Sequence, residues 1–239
     1  MEYIINALPL LLSGAVITLL ITVIGILIGS IIGLFMSLAK LSANKLISFF
    51  ATAYIDFFRG TPLLVQIMII YFGIPNLLML MHEQWVAYVG IPIAEKFTMD
   101  VWMAAIISIS LNSAAYIAEI FRAGIQSIDK GQVEAAYSLG MNRVQVLYHV
   151  ILPQAFRRII PPMGNEFIML LKDTSLLSII GFEELARKTQ LEVARTYATF
   201  ELWMACAFIY LVMTIIFSRL LSMLEERLKT DKNGEKIGV

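Results

Sequence analysis

Five polar side chains lie within segments that are otherwise apolar enough to cross a membrane. Asn112 and Tyr116 are four residues apart, so they share one face of a predicted helix. Asn165 and Glu166 lie in a later segment, and Asp173 is found further along it. Amide and carboxylate groups at membrane depth are costly unless they face a water-lined interior, and ionisable groups there commonly mark the path of a polar solute. We therefore predict that these five residues contact a solute inside the membrane.

Two pairs of charges limit how acidic this site can be. Glu119 and Arg122 are three residues apart on the helix that carries Asn112, so we expect them to pair with each other. Lys172 and Asp173 are adjacent in sequence and are equally compatible with a structural ion pair, which would withdraw Asp173 from the site. The predicted acidic excess is therefore slight, and it suits a neutral or cationic solute better than an anion.

A polar stretch of small residues interrupts the apolar chain and predicts a short helix over about 130–139. Asp129 can cap its start, and Gly140 ends it because glycine readily adopts left-handed backbone. Ala135 and Ala136 leave the helix almost bare, so another surface can approach its backbone. A helix this short is not stable alone in water, and the alternative to docking is a capped loop helix without a partner. A docking surface here would consist of Gln132, Glu134, Ala135, Ala136, Leu139 and Gly140.

The composition indicates that these features are held in a membrane protein. Of the 239 residues, 59% are hydrophobic and only 15% are charged, and the mean hydropathy is +0.80. A soluble domain of this length could not bury so much apolar surface. The formal net charge of zero gives no indication of nucleic-acid binding, and the single cysteine, Cys206, excludes a disulfide within the chain. The sequence therefore predicts an all-α polytopic membrane protein.

Hydropathy predicts about five transmembrane helices within one membrane domain, residues 1–239. Gly73 to Asn76 have the composition of a turn. The fourth span contains the most polar groups, so it should face an interior rather than lipid. The predicted spans cover roughly 9–39, 46–81, 100–126, 159–180 and 202–224, and a polar tail follows over 227–239.

Glycine spacing on the first span predicts close packing against another helix. Gly25, Gly29 and Gly33 recur at four-residue spacing and therefore share one face. Small residues allow a neighbouring helix to approach closely where lipid offers no hydrophobic driving force. Packing within the subunit and packing across a dimer interface are both compatible with this pattern, and we favour the first.

The basic residues predict the orientation in the membrane. With the N-terminus outside, the cytoplasmic loops and tail hold thirteen Lys and Arg residues and the outer segments hold four. Cytoplasmic loops of membrane proteins carry such an excess of basic residues. We therefore expect the N-terminus outside, and the C-terminus and the short helix over 130–139 in the cytoplasm. The four outer residues are Lys96, Arg187, Lys188 and Arg195.

The outer stretch over 182–200 predicts one more short helix. Glu183 with Arg187, and Glu184 with Lys188, are four residues apart in the order that favours a helix. We expect this helix near the external mouth of the protein, where it contacts an external partner or gates the exit. A plain solvated connector is the alternative, because exposed ion pairs of this kind stabilise little.

Three stretches of the chain resemble the permeases of binding-protein-dependent ABC importers. The spacing of Glu134-Ala135-Ala136, Gly140, Val150 and Leu152-Pro153 is similar to the EAA signature of that family, with Val150 in place of the usual Ile. Phe58 to Gln66 and Lys172 to Leu176 resemble the branch of the family that carries polar amino acids. The resemblance spans nearly the whole chain and implies a type I ABC importer permease fold.

This resemblance implies a function and a set of partners. The chain would be the multi-pass transmembrane subunit of an importer that carries a polar amino acid across a bacterial-type inner membrane. Its expected partners are a second permease subunit, identical or related, a dimer of cytoplasmic ABC ATPases and an external substrate-binding protein. The short helix over 130–139 would be the coupling helix that docks on the ATPase. ATP and Mg²⁺ are then expected on the ATPase, with no cofactor on this chain.

The sequence lacks the motifs of a nucleotide-binding or catalytic protein. It has no Gly-x-x-x-x-Gly-Lys-Ser/Thr loop, no Gly-x-Ser-x-Gly and no His-Glu-x-x-His. We therefore expect no catalytic residue and no metal site on this chain. Two alternatives remain open. An ion-coupled secondary amino-acid carrier would need ion-coupling residues and usually internal repeats, and a membrane-embedded hydrolase would need a nucleophile within reach of a base.

Overall fold

The computed structural model describes residues 2–90 and 97–230, and every regular element in these two ranges is helical. The outer Lys96 and the part of the predicted polar tail beyond Thr230 lie outside the described residues. Within the described ranges, four helices are long and apolar enough to cross a membrane: Tyr3–Lys40, Leu63–Val89, Val101–Gln126 and Thr199–Arg227. The prediction of an all-α polytopic membrane protein is confirmed.

Helices α1 (Glu2–Lys40) and α5 (Val101–Gln126) pack against each other at the centre of the fold. The 39 residues of α1 extend about 58 Å, well beyond the roughly 30 Å hydrocarbon core of a bilayer. A Cβ atom added at Gly33 would lie 2.8 Å from the backbone oxygen of Ala114 on α5, closer than real contacts allow. The glycine face of α1 therefore packs within the subunit, as we favoured from the sequence.

The second predicted span consists of two helical segments joined by extended backbone. Helix α2 (Lys45–Gly60) is followed by Thr61, whose φ and ψ of −117° and 147° are those of extended backbone. Pro62 is also extended, and α3 (Leu63–Met68) begins immediately after it. A residue before proline is driven away from helical backbone, and proline itself cannot donate a backbone hydrogen bond. The break therefore exposes backbone groups of Phe58 and Thr61 to a side-chain partner.

Beyond α3 the chain stays helical. It passes through a π-helical turn (Ile69–Gly73) into α4 (Ile74–Val89), so the turn predicted at Gly73 to Asn76 is wrong. Pro75 has no N–H to donate, and its ring would crowd the carbonyl group four residues earlier in a regular α-helix. The wider π-helical turn contains that carbonyl group, and the proline is accommodated without ending the helix.

The middle of the chain combines short helices, which the sequence predicts in the cytoplasm, with a long polar one. Helix α6 (Lys130–Ser138) lies where the coupling helix is predicted, and α7 (Arg143–Val146) follows it. A second π-helical turn (Leu147–Ile151) leads into α8 (Leu152–Asp173), and Pro153 again follows the π-helical turn by two residues. The fourth predicted span therefore begins earlier in the chain than hydropathy indicated, and after α8 it continues as a 3₁₀ helix over Thr174–Ile180.

The chain ends with α9 (Leu185–Thr196) and α10 (Thr199–Thr230). Glu184 caps α9, because its carboxylate accepts hydrogen bonds from the backbone N–H groups of Ala186 at 2.9 Å and Arg187 at 2.7 Å. The hydroxyl group of Tyr210 on α10 donates to the same carboxylate at 2.7 Å. Glu184 therefore joins α9 to α10 and does not form the exposed ion pair with Lys188 that the sequence suggested.

Charged side chains mark the two ends of the bundle. Lys188 of α9 donates a hydrogen bond to Ser13, near the start of α1, at 2.8 Å. Lys40, at the opposite end of α1, donates to Glu119 of α5 at 2.8 Å. Lys188, expected outside, and Lys40, expected in the cytoplasm, are thus separated by most of the length of α1, and which of the two ends faces the cytoplasm stays a prediction.

Candidate functional site

A small cavity lies where the break between α2 and α3 meets the middle of α5 and the second half of α8. Its volume is about 240 Å³. We call it the acidic cavity, because two carboxylates contribute to its wall. Its lining residues are Thr61, Pro62, Leu63, Asn112, Tyr116, Glu166, Met169, Asp173 and Leu176.

Four of the five residues that the sequence analysis selected line this cavity. Asn112 and Tyr116 reach it from α5, and Glu166 and Asp173 reach it from α8. The fifth, Asn165, is exposed on α8 and is not part of the lining in the isolated chain. The structure therefore brings together side chains of α5 and α8 that are fifty or more positions apart in sequence.

Gln66 organises the wall of the acidic cavity, and the sequence analysis did not select it. Its side-chain N–H groups donate to the backbone oxygens of Phe58 at 2.8 Å and Thr61 at 3.0 Å, and to the Thr61 hydroxyl at 2.9 Å. Its side-chain oxygen accepts a hydrogen bond from Asn112 at 2.9 Å. Gln66 therefore occupies the backbone acceptors freed by the helix break, and it fixes the orientation of the Asn112 amide.

The carboxylates give the acidic cavity a clear chemical preference. Glu166 is only 8% exposed, and Asp173 is half-buried. They are seven residues apart on one helix, so they lie about two turns apart on the same face. Buried carboxylates favour a cationic group as their partner, because a lone charge is costly to remove from water. This arrangement can bind the ammonium group of a small polar solute.

A second cavity of about 430 Å³ adjoins the first on the side of Glu119 and Arg158. We call it the inner cavity. Tyr116 and Glu166 belong to both linings and therefore separate the two spaces. The inner cavity is lined by Arg59, Tyr116, Glu119, Ile120, Ala123, Gly124, Ser127, Arg158, Pro162 and Glu166.

Glu119 is the centre of an ion cluster at the edge of the inner cavity. Arg122 donates to it from Nη2 at 2.7 Å and from Nε at 3.0 Å, which confirms the predicted pair. Lys40 adds a contact at 2.8 Å. Arg59 is held more loosely, with its Nη1 atom 4.0 Å from Glu119 and its guanidinium carbon 5.5 Å from the centre of the Tyr116 ring. This cluster joins the last turn of α1, the last turn of α2 and the second half of α5.

The predicted docking surface is built on a helix with both ends capped. The Asp129 carboxylate accepts hydrogen bonds from the N–H groups of Gly131 at 2.7 Å and Gln132 at 3.3 Å. At the other end Gly140 has a φ of +85°, and the Met141 N–H donates to the Ala136 oxygen at 3.2 Å. These bonds form a Schellman motif, which ends α6 sharply.

Most of the predicted docking residues are available to a partner. Ala136 is buried and holds α6 against the chain, and Leu139 is 83% exposed, which is unusual for a large apolar side chain. The four others are exposed as well: Gln132, Glu134, Ala135 and Gly140.

Comparisons with known proteins agree on one family. The chain matches the family described as "binding-protein-dependent transport system inner membrane component" over residues 25–230. It is 40% identical over 223 residues to the glutamine transport system permease protein GlnP of Escherichia coli (strain K12), covering 93% of this chain and 94% of that one. It is 38% identical over 227 residues to the arginine transport system permease protein ArtQ of Bacillus subtilis (strain 168), covering 95% and 96%.

Solved structures agree with this assignment. The crystal structure of an amino acid ABC transporter with histidines contains a chain that is 41% identical, with a TM-score of 0.81, covering 94% of this chain and 96% of that one. The MetNI methionine ABC transporter, in an inward-facing conformation, gives a TM-score of 0.68 at 17% identity, covering 93% and 98%, and supports the fold alone. The chain therefore belongs to the binding-protein-dependent transport system inner membrane components, as a multi-pass inner-membrane permease of the polar amino-acid ABC transporter type.

Proposed function

We propose that this permease moves a neutral or cationic polar amino acid into the cell, driven by ATP hydrolysis on a partner ATPase that docks on α6. Two permease subunits, identical or related, form the pathway, and an external substrate-binding protein delivers the amino acid. ATP and Mg²⁺ bind to the ATPase, and this chain contributes no cofactor and no catalytic group. Its own contributions are the acidic cavity, the docking surface and the helix that joins them.

The observation that carries this proposal is the continuous connection from α6 to the acidic cavity through α8. Gln132 of α6 accepts a hydrogen bond from Gln154, near the start of α8, at 2.7 Å. The same helix carries Glu166 and Asp173 in the cavity wall. A helix of 22 residues is about 33 Å long, so α8 reaches from Gln154 to both carboxylates, with Pro161 and Pro162 within it. Displacement of α6 by a closing ATPase would therefore move the carboxylates of the cavity.

The acidic cavity supports the substrate class. An amino acid brings an ammonium group, which two carboxylates can accept, and Asn112 adds an amide for a further hydrogen bond. A substrate with a second carboxylate would meet repulsion from Glu166 and Asp173. The names of the relatives refer to glutamine and arginine, one neutral and one cationic side chain. Asn165 remains a proposed contact that would need the second subunit or another conformation to reach the solute.

Co-purification and transport together test this proposal. The permease is expressed with its cognate ATPase, purified in mild detergent and reconstituted with the external binding protein. We expect the ATPase to co-purify, and we expect uptake of radiolabelled glutamine or arginine that requires ATP. Glu134→Lys should abolish binding-protein-stimulated ATP hydrolysis, because a lysine near the start of a helix opposes the helix dipole and reverses an exposed charge. Glu134→Gln, which keeps the shape, is the matched control.

The outcome also separates this proposal from the alternative transporter class. A secondary carrier would take up amino acid in the absence of the ATPase when an ion gradient is applied. Gradient-driven uptake by the permease alone, or unchanged ATPase stimulation in the Glu134→Lys variant, would overturn the coupling role of α6.

A further inference from the structure

The acidic cavity and the inner cavity differ in the charged groups that they offer a solute. Among the described residues that line the acidic cavity, Glu166 and Asp173 are charged and neither Lys nor Arg occurs. The inner cavity contains the guanidinium groups of Arg59 and Arg158. Tyr116 and Glu166 line both cavities. A solute that moves inward past Tyr116 therefore leaves a surrounding of carboxylates and meets guanidinium groups.

An amino acid needs partners of both signs along this path. Its ammonium group can pair with the carboxylates of the acidic cavity. Its α-carboxylate has no cationic partner among the described residues of that lining, and a carboxylate removed from water without a partner is costly. Positively charged side chains first occur along the path in the inner cavity, on the other side of Tyr116.

Arg59 is the guanidinium group in the inner cavity that is least tightly held. Glu119, its ionic neighbour, already accepts contacts at 2.8 Å from Lys40 and 2.7 Å from Arg122, and Arg59 approaches it only to 4.0 Å. The Arg59 side chain is 44% exposed and lies over the Tyr116 ring, with 5.5 Å between the guanidinium carbon and the ring centre. The other guanidinium group, of Arg158, donates to the backbone oxygen of Ser127.

We propose that Arg59 binds the α-carboxylate of the amino acid as it passes from the acidic cavity to the inner cavity. The planar guanidinium group presents two parallel N–H donors, which match the two oxygens of a carboxylate. Glu166, which faces both cavities, keeps the ammonium group paired during the same movement. Arg59 is thus a specificity-determining residue that selects amino acids over amines of the same shape. The proposal rests on the function proposed above and names the group that recognises the backbone of the substrate.

The test compares substrates that differ only at the carboxylate. Arginine and argininamide, and likewise glutamine and glutaminamide, compete with radiolabelled amino acid for the permease–ATPase complex in lipid nanodiscs, without the binding protein. We expect the parent complex to prefer the acid over the amide by about tenfold or more, the range of a charge-assisted hydrogen bond. Arg59→Gln should reduce that preference to near unity, and Arg59→Lys should leave an intermediate value, because lysine keeps the charge but not the paired donors.

Matched variants and a separate transport assay keep the outcomes distinct. Arg158→Gln removes a guanidinium group from the same cavity and should retain the preference for the acid. ATP-driven uptake by the parent, measured with the binding protein, tests the proposed function by itself. If the parent transports but binds no amino acid without the binding protein, or if Arg59→Gln keeps the tenfold preference, Arg59 does not recognise the carboxylate and the proposal is overturned.

Discussion

The side-chain amide of Gln154 donates a hydrogen bond to the side-chain oxygen of Gln132 at 2.7 Å. The same nitrogen also donates to the backbone oxygen of Val150 at 2.9 Å, which fixes Gln154 against the turn that precedes α8. Gln132 lies in the first turn of α6, on the face that we propose meets the ATPase. This contact therefore connects α6, the proposed docking surface for the ATPase, with α8, which carries the carboxylates of the acidic cavity.

Breaking this contact should weaken coupling. Gln154→Met keeps the length of the side chain and removes the hydrogen bond, so we expect binding-protein-stimulated ATP hydrolysis to fall by about threefold to tenfold, the range of one neutral hydrogen bond. Gln132→Met should have a similar effect. The double variant should lose no more than either single variant, because both remove the same interaction. Additive losses in proteoliposome assays would contradict a role for this pair.

The left-handed backbone of Gly140 predicts a graded response to substitution. Its φ of +85° is costly for a β-branched residue and much less so for asparagine. We expect Gly140→Val to distort the end of α6, at a cost of about 1–3 kcal/mol, and to lower stimulated ATP hydrolysis several-fold. Gly140→Asn should stay close to the parent. Equal activity of the two variants, with insertion checked by fluorescence-detected chromatography, would argue against a docking role for this cap.

Two neighbouring residues of α8 should differ in their effect on uptake. Glu166→Gln removes a buried carboxylate that lines both cavities, so we expect uptake to fall at least tenfold at limiting substrate. Asn165→Ala should weaken uptake less, because Asn165 is exposed and lies outside the cavity wall of the isolated chain. Both variants should still co-purify with the ATPase. Parent-like uptake by both would show that the substrate binds elsewhere or that selection rests wholly with the binding protein.

The contact between α1 and α5 predicts a stability difference between two glycine substitutions. A methyl group at Gly33 would lie 2.8 Å from the Ala114 backbone oxygen, which cannot move without shifting α5. We expect Gly33→Ala to destabilise the protein by about 1–3 kcal/mol and to lower its melting temperature in detergent. Gly60→Ala is the matched control, because nothing lies within 4 Å of a methyl group there. A melting temperature of Gly33→Ala equal to that of Gly60→Ala would contradict this close approach.

Thiol crosslinking can establish whether α9 contacts the external binding protein. Arg195 has a side chain that is 70% exposed, and the single native cysteine, Cys206, is buried and should not react. We expect a cysteine at Arg195 to crosslink to the docked, substrate-loaded binding protein. A cysteine at Thr189, which is fully buried, is the matched control and should remain unmodified. Absence of crosslinks at Arg195 and at Arg187 would favour a connector without a partner.

Local signals in the sequence were sufficient for the features that depend on neighbouring residues. The cap of α6 follows from Asp129 and Gly140 because N-cap carboxylates and left-handed glycines act over one helical turn. Asn112 and Tyr116 reach the same cavity because their four-residue spacing places them on one face of α5. The glycine face of α1 packs within the subunit for the same reason.

Features that depend on distant partners were missed. Gln66 is separated from Asn112 by 46 positions, and no local pattern indicates that its amide bridges the helix break and α5. Glu184 has the spacing of an exposed ion pair with Lys188. Its carboxylate instead accepts hydrogen bonds from the Tyr210 hydroxyl group and from the backbone at the start of α9. The turn expected around Pro75 is absent because a π-helical turn accommodates the proline within a continuous helix, and the residue composition alone does not distinguish these two outcomes.

The two π-helical turns also affect the register of the helices that follow them. Each adds one residue to a turn, and one residue corresponds to about 100° of rotation around a helix axis. In an uninterrupted α-helix, the side chains after Gly73 and after Ile151 would therefore point in directions that differ by about 100° from the observed ones. Deleting one residue from either π-helical turn would give a regular turn and keep the downstream face, provided that the proline next to it were also replaced. At the second of these sites the chain can therefore change its length by one residue without turning α8 away from α5 and α10, against which it packs.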